Sequence, residues 1–265
     1  LVLLAALAAP AAYAQVAGGT ITGNVTLASD YRFRGVSQTY LGPAFQGGFD
    51  YVSPGGIYFG NWNSNVSSAV YTGGAGLEMD FYGGWKHTYG EFTLDVGGIY
   101  YHFPQAECND RNACTTSGNT KFDTLEAYFA ATFKWLVFKY SYALTDYFGL
   151  GNETAAGYWF NKETNTPLGG RGNSHGTWYA DLTLTVPLTK ELSFVGHYGE
   201  LEVENYSELE YRDWKLGITY DLNGWLLGAA YVDTNADKNF YYTFGSRGNK
   251  ETANATVVFT VTKTF

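Results

Sequence analysis

Alternation of apolar and polar residues is the main pattern along the chain. In the stretch 20–34 the even positions carry threonine, asparagine, aspartate and arginine, and the odd positions carry Ile21, Val25, Leu27, Tyr31 and Phe33. Successive side chains of a β-strand point to opposite faces, with a period of two. The pattern therefore predicts one long strand over 20–34, with an apolar face and a charged face.

The same alternation recurs through the chain and predicts twelve strands. Their lengths are near the roughly 9–11 residues that a tilted strand needs to cross a bilayer. Tight turns such as "SPGG", "TYGE" and "DLNG" alternate with longer, polar or glycine-rich loops. The predicted strands cover about 20–34, 43–53, 55–64, 75–87, 91–103, 121–134, 136–146, 176–187, 190–202, 211–221, 224–233 and 254–265.

Aromatic residues at the ends of the apolar rows suggest which face meets lipid. Transmembrane barrels carry such girdles at both membrane interfaces, and only a closed barrel leaves no unpaired sheet edge in lipid. The pattern thus predicts an all-β fold: a closed antiparallel transmembrane β-barrel of about 12 strands, with short periplasmic turns and longer extracellular loops. The predicted membrane girdle is Tyr31, Trp85, Trp135, Trp178, Trp214, Tyr220 and Phe265.

The N-terminus has the form of a processing signal. "LVLLAALAAPAAYA" is an apolar segment that ends in an A-x-A cleavage site, Ala12 to Ala14. A positively charged start is missing, so we expect the signal to be truncated. The predicted domains are a signal peptide over 1–14 and an outer-membrane barrel over 15–265. An even strand number puts both termini in the periplasm.

The polar face of the predicted strands supplies the candidate lumen residues. One hypothesis is a charged lining that selects ions or solutes; the other is a structural network of acids and bases that fills the barrel. Two guanidiniums in the first strand favour carboxylate or phosphate partners. The candidates are Asp30, Arg32, Arg34, Asp50, Glu78, Asp80, Lys86, Glu126, Lys134, Asp181 and Lys215.

Composition narrows the chemistry further. The formal net charge of −9 disfavours nucleic acid as a partner. Cys108 and Cys114 lie in one polar loop, and outside the cytosol this spacing predicts a disulfide. Two cysteines without a nearby histidine are a poor metal-ligand set, so neither a metal site nor a cofactor is expected.

An enzyme is the rival class, since catalysis needs a nucleophile beside a base. His197 lies mid-strand on the polar face, and Ser193 shares that face at about 13 Å along the strand. That separation is too long for a hydrogen bond, so we expect no enzyme. An outer-membrane acyl hydrolase or transferase and a closed structural or adhesive barrel without a pore stay as alternatives.

Several motifs resemble a known family. "SDYRFRGVSQT", "PAFQGGFDY", "GGIYFGNWNSNV" and "EMDFYGGW" resemble, in order, the opening motifs of the TorF-type porins, proteobacterial proteins formerly of unknown function. "EAYFAATF", "DYFG" and "GHYG" are similar to later motifs. The resemblance implies an outer-membrane barrel and passive transport.

Together these observations predict a narrow channel for the passive diffusion of small hydrophilic solutes or ions. Twelve strands enclose more space than eight, whose side chains fill the interior. The expected partners are outer-membrane lipid, the diffusing solutes or ions, and the barrel-assembly machinery, which would recognise the C-terminal strand that ends at Phe265.

Overall fold

Twelve long antiparallel strands form a sheet that closes on itself. The computed structural model describes residues 14–16, 18–70, 75–109, 119–243 and 248–265. The predicted all-β barrel of 12 strands is confirmed. The strands are β1 (Gly19–Ala28), β2 (Ala44–Val52), β3 (Ile57–Asn65), β4 (Leu77–Tyr89), β5 (Phe92–His102), β6 (Thr124–Phe133), β7 (Leu136–Ala143), β8 (Trp178–Pro187), β9 (Leu192–Glu202), β10 (Tyr211–Leu222), β11 (Trp225–Thr234) and β12 (Thr256–Thr264).

The first strand closes the barrel by pairing with both the second and the last. Ala28 lies opposite Ala44 of β2, and Asn24 lies opposite Thr264 of β12. The short strand Ala14–Val16 also pairs with β1. Residues 1–13 of the predicted signal peptide lie outside the described residues, so the cleavage stays a prediction.

Apolar side chains cover the outside of the barrel, as the alternation predicted. Phe45, Phe59 and Phe259 are each more than half exposed. Large exposed side chains of this kind are costly in water. Of the predicted girdle, Trp85, Trp135, Tyr220 and Phe265 are exposed, and the outward-facing Trp178 and Trp214 are partly exposed. Their contact with lipid stays a prediction.

Tight turns close one end of the barrel, and one of them corrects a predicted lumen residue. Asn223 and Gly224 join β10 to β11 with φ of 55° and 80°, the backbone that a two-residue hairpin turn needs. Lys134 has a φ of 53° in the turn after β6. Its exposed ammonium pairs with Glu91 at 3.2 Å, so the prediction that it lines the lumen was wrong. The strand ends one residue before it.

Longer segments fold over the opposite end. Their described residues contain short strand pairs, two turns of 3₁₀-helix and one α-helix, α1 (Asn152–Gly157). Among the described residues no helix is long and apolar enough to cross a membrane. Phe103 and Phe122 belong to one buried apolar cluster at this end, and Leu150 and Tyr206 belong to another. At the surface of these segments, Arg171 donates hydrogen bonds to the carboxylate of Glu208. These bonds lower the pKa of Glu208.

The largest departure from the prediction lies directly after β1. The strand ends at Ala28 rather than at residue 34, and residues 29–43, here called the inward hairpin, turn into the barrel. Within it Arg32–Phe33 pairs with Val36–Ser37. The prediction that Tyr31 and Phe33 face lipid was wrong. Tyr31 is 9% exposed and donates a hydrogen bond to Glu78, and Phe33 packs edge-on against Tyr101 inside the barrel.

Candidate channel lining

Acids, bases and tyrosines line the inner wall between the short-turn end and the inward hairpin. Four of the predicted lumen candidates lie on this wall: Asp50, Lys86, Asp181 and Lys215 alternate with outward apolar side chains. Asp50 on β2 accepts a 2.7 Å hydrogen bond from Tyr82 on β4. The wall therefore presents both signs of charge, together with phenol hydroxyls.

Inward tyrosines lie over glycines of the neighbouring strand, which sequence reasoning missed. Gly60 is directly opposite Tyr82 in the register. A Cβ at Gly60 would lie 2.5 Å from the Tyr82 ring, so the ring occupies the space that a side chain would need. Tyr128 lies over Gly97 in the same way. The sequence shows the glycines at polar-face positions, but the tyrosine opposite each one is defined by the strand register.

One group of these tyrosines joins three strands by hydrogen bonds. Tyr58 donates to Asp95 at 2.5 Å and also contacts the hydroxyl of Tyr128. The ammonium of Lys139 lies 4.2 Å from the centroid of the Tyr128 ring, an attractive cation–π distance. Lys86 lies 5.5 Å from the ring of Tyr58. The inward bases thus lie against aromatic faces on this side of the wall.

A second group surrounds His197 on the opposite side. Its Nε2 lies 3.2 Å from Asp213 and 3.0 Å from the hydroxyl of Tyr179, and its Nδ1 lies 2.8 Å from Thr183. Tyr179 also donates to Asp213 at 2.8 Å. These bonds connect β8, β9 and β10. Among the described residues, His197 thus forms hydrogen bonds with Thr183, Tyr179 and Asp213 rather than with Ser193.

The base of the inward hairpin is an internal ion pair. Arg32 donates to Asp30 at 2.6 Å, and Ser37 and Thr39 donate to the other oxygen of the same carboxylate. The Nη1 group of Arg32 also donates to the carbonyls of Gly35, Thr252 and Asn254. Asp30 and Arg32 are therefore inside the barrel, where they satisfy each other and the backbone.

Arg34, at the tip of the hairpin, is bound to Glu126 on β6. Nη2 of the guanidinium lies 2.9 and 2.8 Å from the two carboxylate oxygens and donates to both, so the contact is charge-assisted but comes from one nitrogen. Arg34 also donates to Tyr147 at 2.9 Å and lies 4.4 Å from the Tyr179 ring centroid. Burial raises the pKa of Tyr147 to about 12, so this phenol keeps its proton at neutral pH.

Glu78 and Asp80 project from β4 into the same level of the barrel. Their residues are 2% and 0% exposed, and Tyr31 of the hairpin bonds to Glu78. Of the predicted disulfide, Cys108 is fully buried at the loop end, and Cys114 lies outside the described residues. The pairing stays a prediction.

Solved structures resemble this chain at very low sequence identity. A structure described as "Unveiling the Mechanism Behind the in-meso Crystallization of Membrane Proteins" is 5% identical, with a TM-score of 0.50 over 92% of this chain and 83% of that one. KdgM porin in complex with disordered oligogalacturonate is 7% identical, with a TM-score of 0.49 over 92% and 98% of the two chains. NanC porin is 8% identical, with a TM-score of 0.46 over 91% and 97%.

Identities this low bear on the fold alone. No curated protein matches the sequence. A family model does match, over residues 12–265, nearly the whole chain. Its description is "Bacterial protein of unknown function (Gcw_chp)", and the chain belongs to this family.

Proposed function

We propose that the protein is an outer-membrane channel for the passive diffusion of small hydrophilic solutes or ions. The exposed apolar outer face supports a position in a bilayer, where a closed sheet leaves no unpaired edge. In the proposed orientation across the outer membrane, the long loops lie outside the cell, and the short turns and both termini lie in the periplasm. The C-terminal strand would then be available to the assembly machinery.

The observation that carries the proposal is the polar inner wall. From the short-turn end up to the inward hairpin, the wall presents partly exposed charges such as Asp50, Lys86 and Asp95. Hydroxyls and charges of both signs can replace part of the water shell of a passing ion or solute. An inner wall that served only to fill the barrel would not need partly exposed charges.

The inward hairpin makes the proposed passage narrow. Tyr31 contacts β4, Phe33 contacts β5 and Arg34 contacts β6. A Cβ at Gly35 would lie 2.5 Å from Thr234 of β11. The segment thus approaches the wall on several sides at one level, and the remaining space at this level sets the size limit for a solute.

The contacts of the inward hairpin with the wall also favour a second candidate function, a closed barrel that conducts nothing. In this hypothesis the hairpin and the packed loops serve as a permanent cover, and the loops act in structure or adhesion. The two candidates differ in one measurable property, which is the conductance of the folded barrel.

Single-channel recording in planar bilayers tests the proposal. Ala28 and Ala44 are directly opposite each other, so a four-residue Gly-Ser turn can replace residues 29–43 and leave β1 and β2 paired. We expect small, discrete conductance steps from the refolded wild type and larger steps from the shortened variant. Heat-modifiable mobility on a gel checks that both are folded.

The results separate the candidates. Steps in both proteins, larger in the variant, support a narrow channel. Steps in the variant alone would identify the hairpin as a closed cover in the resting protein. A folded wild type and a folded variant that both fail to conduct would overturn the channel and leave the closed barrel.

A further inference from the structure

Two acidic side chains lie side by side on the wall, at the level of the inward hairpin. Glu78 and Asp80 are two residues apart on β4, so both point into the barrel. Tyr31 donates a 3.2 Å hydrogen bond to Oε1 of Glu78. Both acids are almost completely shielded from solvent. A carboxylate in such a place needs a partner of opposite charge or several donors.

Most of their oxygen atoms have no such partner within the described part of the chain. Oε2 of Glu78 and both Oδ atoms of Asp80 accept no hydrogen bond there. The two carboxyl groups lie within hydrogen-bonding reach of each other. Two carboxylates carry only acceptors, so neither can satisfy the other until a proton or a cation lies between them.

The neighbouring arginines already form ion pairs with other acids. At this level Arg32 is paired with Asp30 and Arg34 is paired with Glu126. Both guanidiniums are therefore committed to other acids. Across the described ranges, Glu78 and Asp80 belong to no ion pair with a lysine, arginine or histidine. Within the part of the chain that the structure describes, two adjacent acids are therefore left without a cation, which is strongly unfavourable at a buried position when both are ionised.

We propose that Glu78 and Asp80 form a binding site for one hard divalent cation of the Ca²⁺ type. Such cations take carboxylate oxygens as ligands and complete their shell with water. The three unpartnered oxygens belong to side chains that share one face of β4, and the Tyr31 hydroxyl orients the first carboxylate. The cation would offset both charges and tie β4 to the hairpin. This site does not depend on whether the barrel conducts.

Terbium luminescence with the refolded barrel in detergent tests the site without any membrane current. Tb³⁺ is a hard oxygen-seeking ion, and the rings of Tyr31 and Trp62, 5.4 Å apart, lie beside Glu78 and can sensitise it. We expect one saturable equivalent at neutral pH that Ca²⁺ displaces with a half-point of about 0.1–1 mM, the range of extracellular calcium modules. Glu78→Gln and Asp80→Asn should each weaken binding at least tenfold.

Asp50→Asn is the matched control. Asp50 is an inward acid of β2, but it accepts a hydrogen bond from Tyr82, so its loss should leave terbium binding unchanged. Equal loss in this control would show diffuse attraction to the wall and overturn the site. The wild-type protein alone also tests the site. If it shows no saturable, Ca²⁺-displaceable terbium binding, the two acids share a proton instead and the cation site is refuted. If the barrel binds terbium but never conducts, the cation site is supported and the proposed channel is refuted. If it conducts but does not bind terbium, only the cation site is refuted.

Discussion

Arg34 and Glu126 form a buried ion pair that attaches the inward hairpin to β6. Their side chains are 6% and 2% exposed. Arg32 of the same hairpin bonds to the carbonyls of Thr252 and Asn254, just before β12. In the ring of twelve strands β6 and β12 face each other. The hairpin therefore connects opposite sides of the barrel.

Removing one partner of this pair should strongly destabilise the barrel. Glu126→Gln leaves the Arg34 guanidinium buried without its charge partner, which costs about 3–5 kcal/mol. Urea unfolding of the refolded protein measures the loss. The control is Arg212→Met, which removes the exposed pair with Glu200 and should change the unfolding midpoint very little. Equal shifts in the two variants would show that Arg34 is not specially dependent on Glu126.

Inward lysines should set the ion preference of the proposed channel. Lys139→Glu and Lys215→Glu each exchange an inward positive charge for a negative one, so the reversal potential in a KCl gradient should move towards cation selectivity. Lys134→Glu makes the same chemical change in an exposed turn and should leave the potential near the wild-type value. A shift of equal size in Lys134→Glu would place the selectivity outside the lumen.

Glycine beneath a tyrosine should be required for a well-packed wall. In Gly60→Ala the new methyl group falls 2.5 Å from the Tyr82 ring, so the ring must move and its bond to Asp50 is lost. Overpacking of this kind costs about 1–3 kcal/mol in unfolding free energy. Gly76→Ala meets no atom within 4 Å and serves as the control. An unchanged urea midpoint in Gly60→Ala would contradict the packing described for this sector.

Tryptophans should divide into two classes in lipid. Trp135 is 52% exposed on the outside of the barrel, so brominated lipid should quench its fluorescence in a variant that keeps only this tryptophan. Trp62 packs against Tyr31 and should resist the same quencher. If Trp62 were quenched and Trp135 were not, the assignment of the two faces would be inverted.

The cysteine pair remains open to direct measurement. Cys108 is buried, and a partner in the same loop explains why a thiol would be held there in an oxidising compartment. Mass mapping of the non-reduced protein should find one peptide pair that joins Cys108 to Cys114. Detection of both cysteines as free thiols would exclude the disulfide.

The twelve strands could be predicted because period-two alternation reports directly on a wall with two unlike faces. The inward hairpin could not, because Arg32–Phe33 is itself a short strand and continues the alternation of β1. Local pattern does not distinguish a wall strand from a strand that has left the wall. The turn of the hairpin is at Gly35, where the φ is 81° and a Cβ would collide with Thr234.

The lining was predicted less completely than the wall. Parity gives the direction of a side chain but not its partner, so Asp30 and Arg32 were expected on the lumen surface although they bind each other. The prediction that Lys134 lines the lumen failed because strand ends are hard to locate to within one residue. The backbone of Lys134 belongs to the turn. The tyrosine–glycine pairs needed the strand register, which the sequence alone does not supply.

The crossing hairpin has a mechanical consequence. A cylinder held only by hydrogen bonds between strands can flatten into an ellipse without breaking any of them. The hairpin is bonded to β6 on one side and to the segment just before β12 on the other. It resists that distortion, because flattening would stretch or compress the bonds of Arg34 to Glu126 and of Arg32 to Thr252. The barrel should therefore keep a fixed diameter at this level when the thickness or lateral pressure of the bilayer changes, while its short-turn end is free to deform.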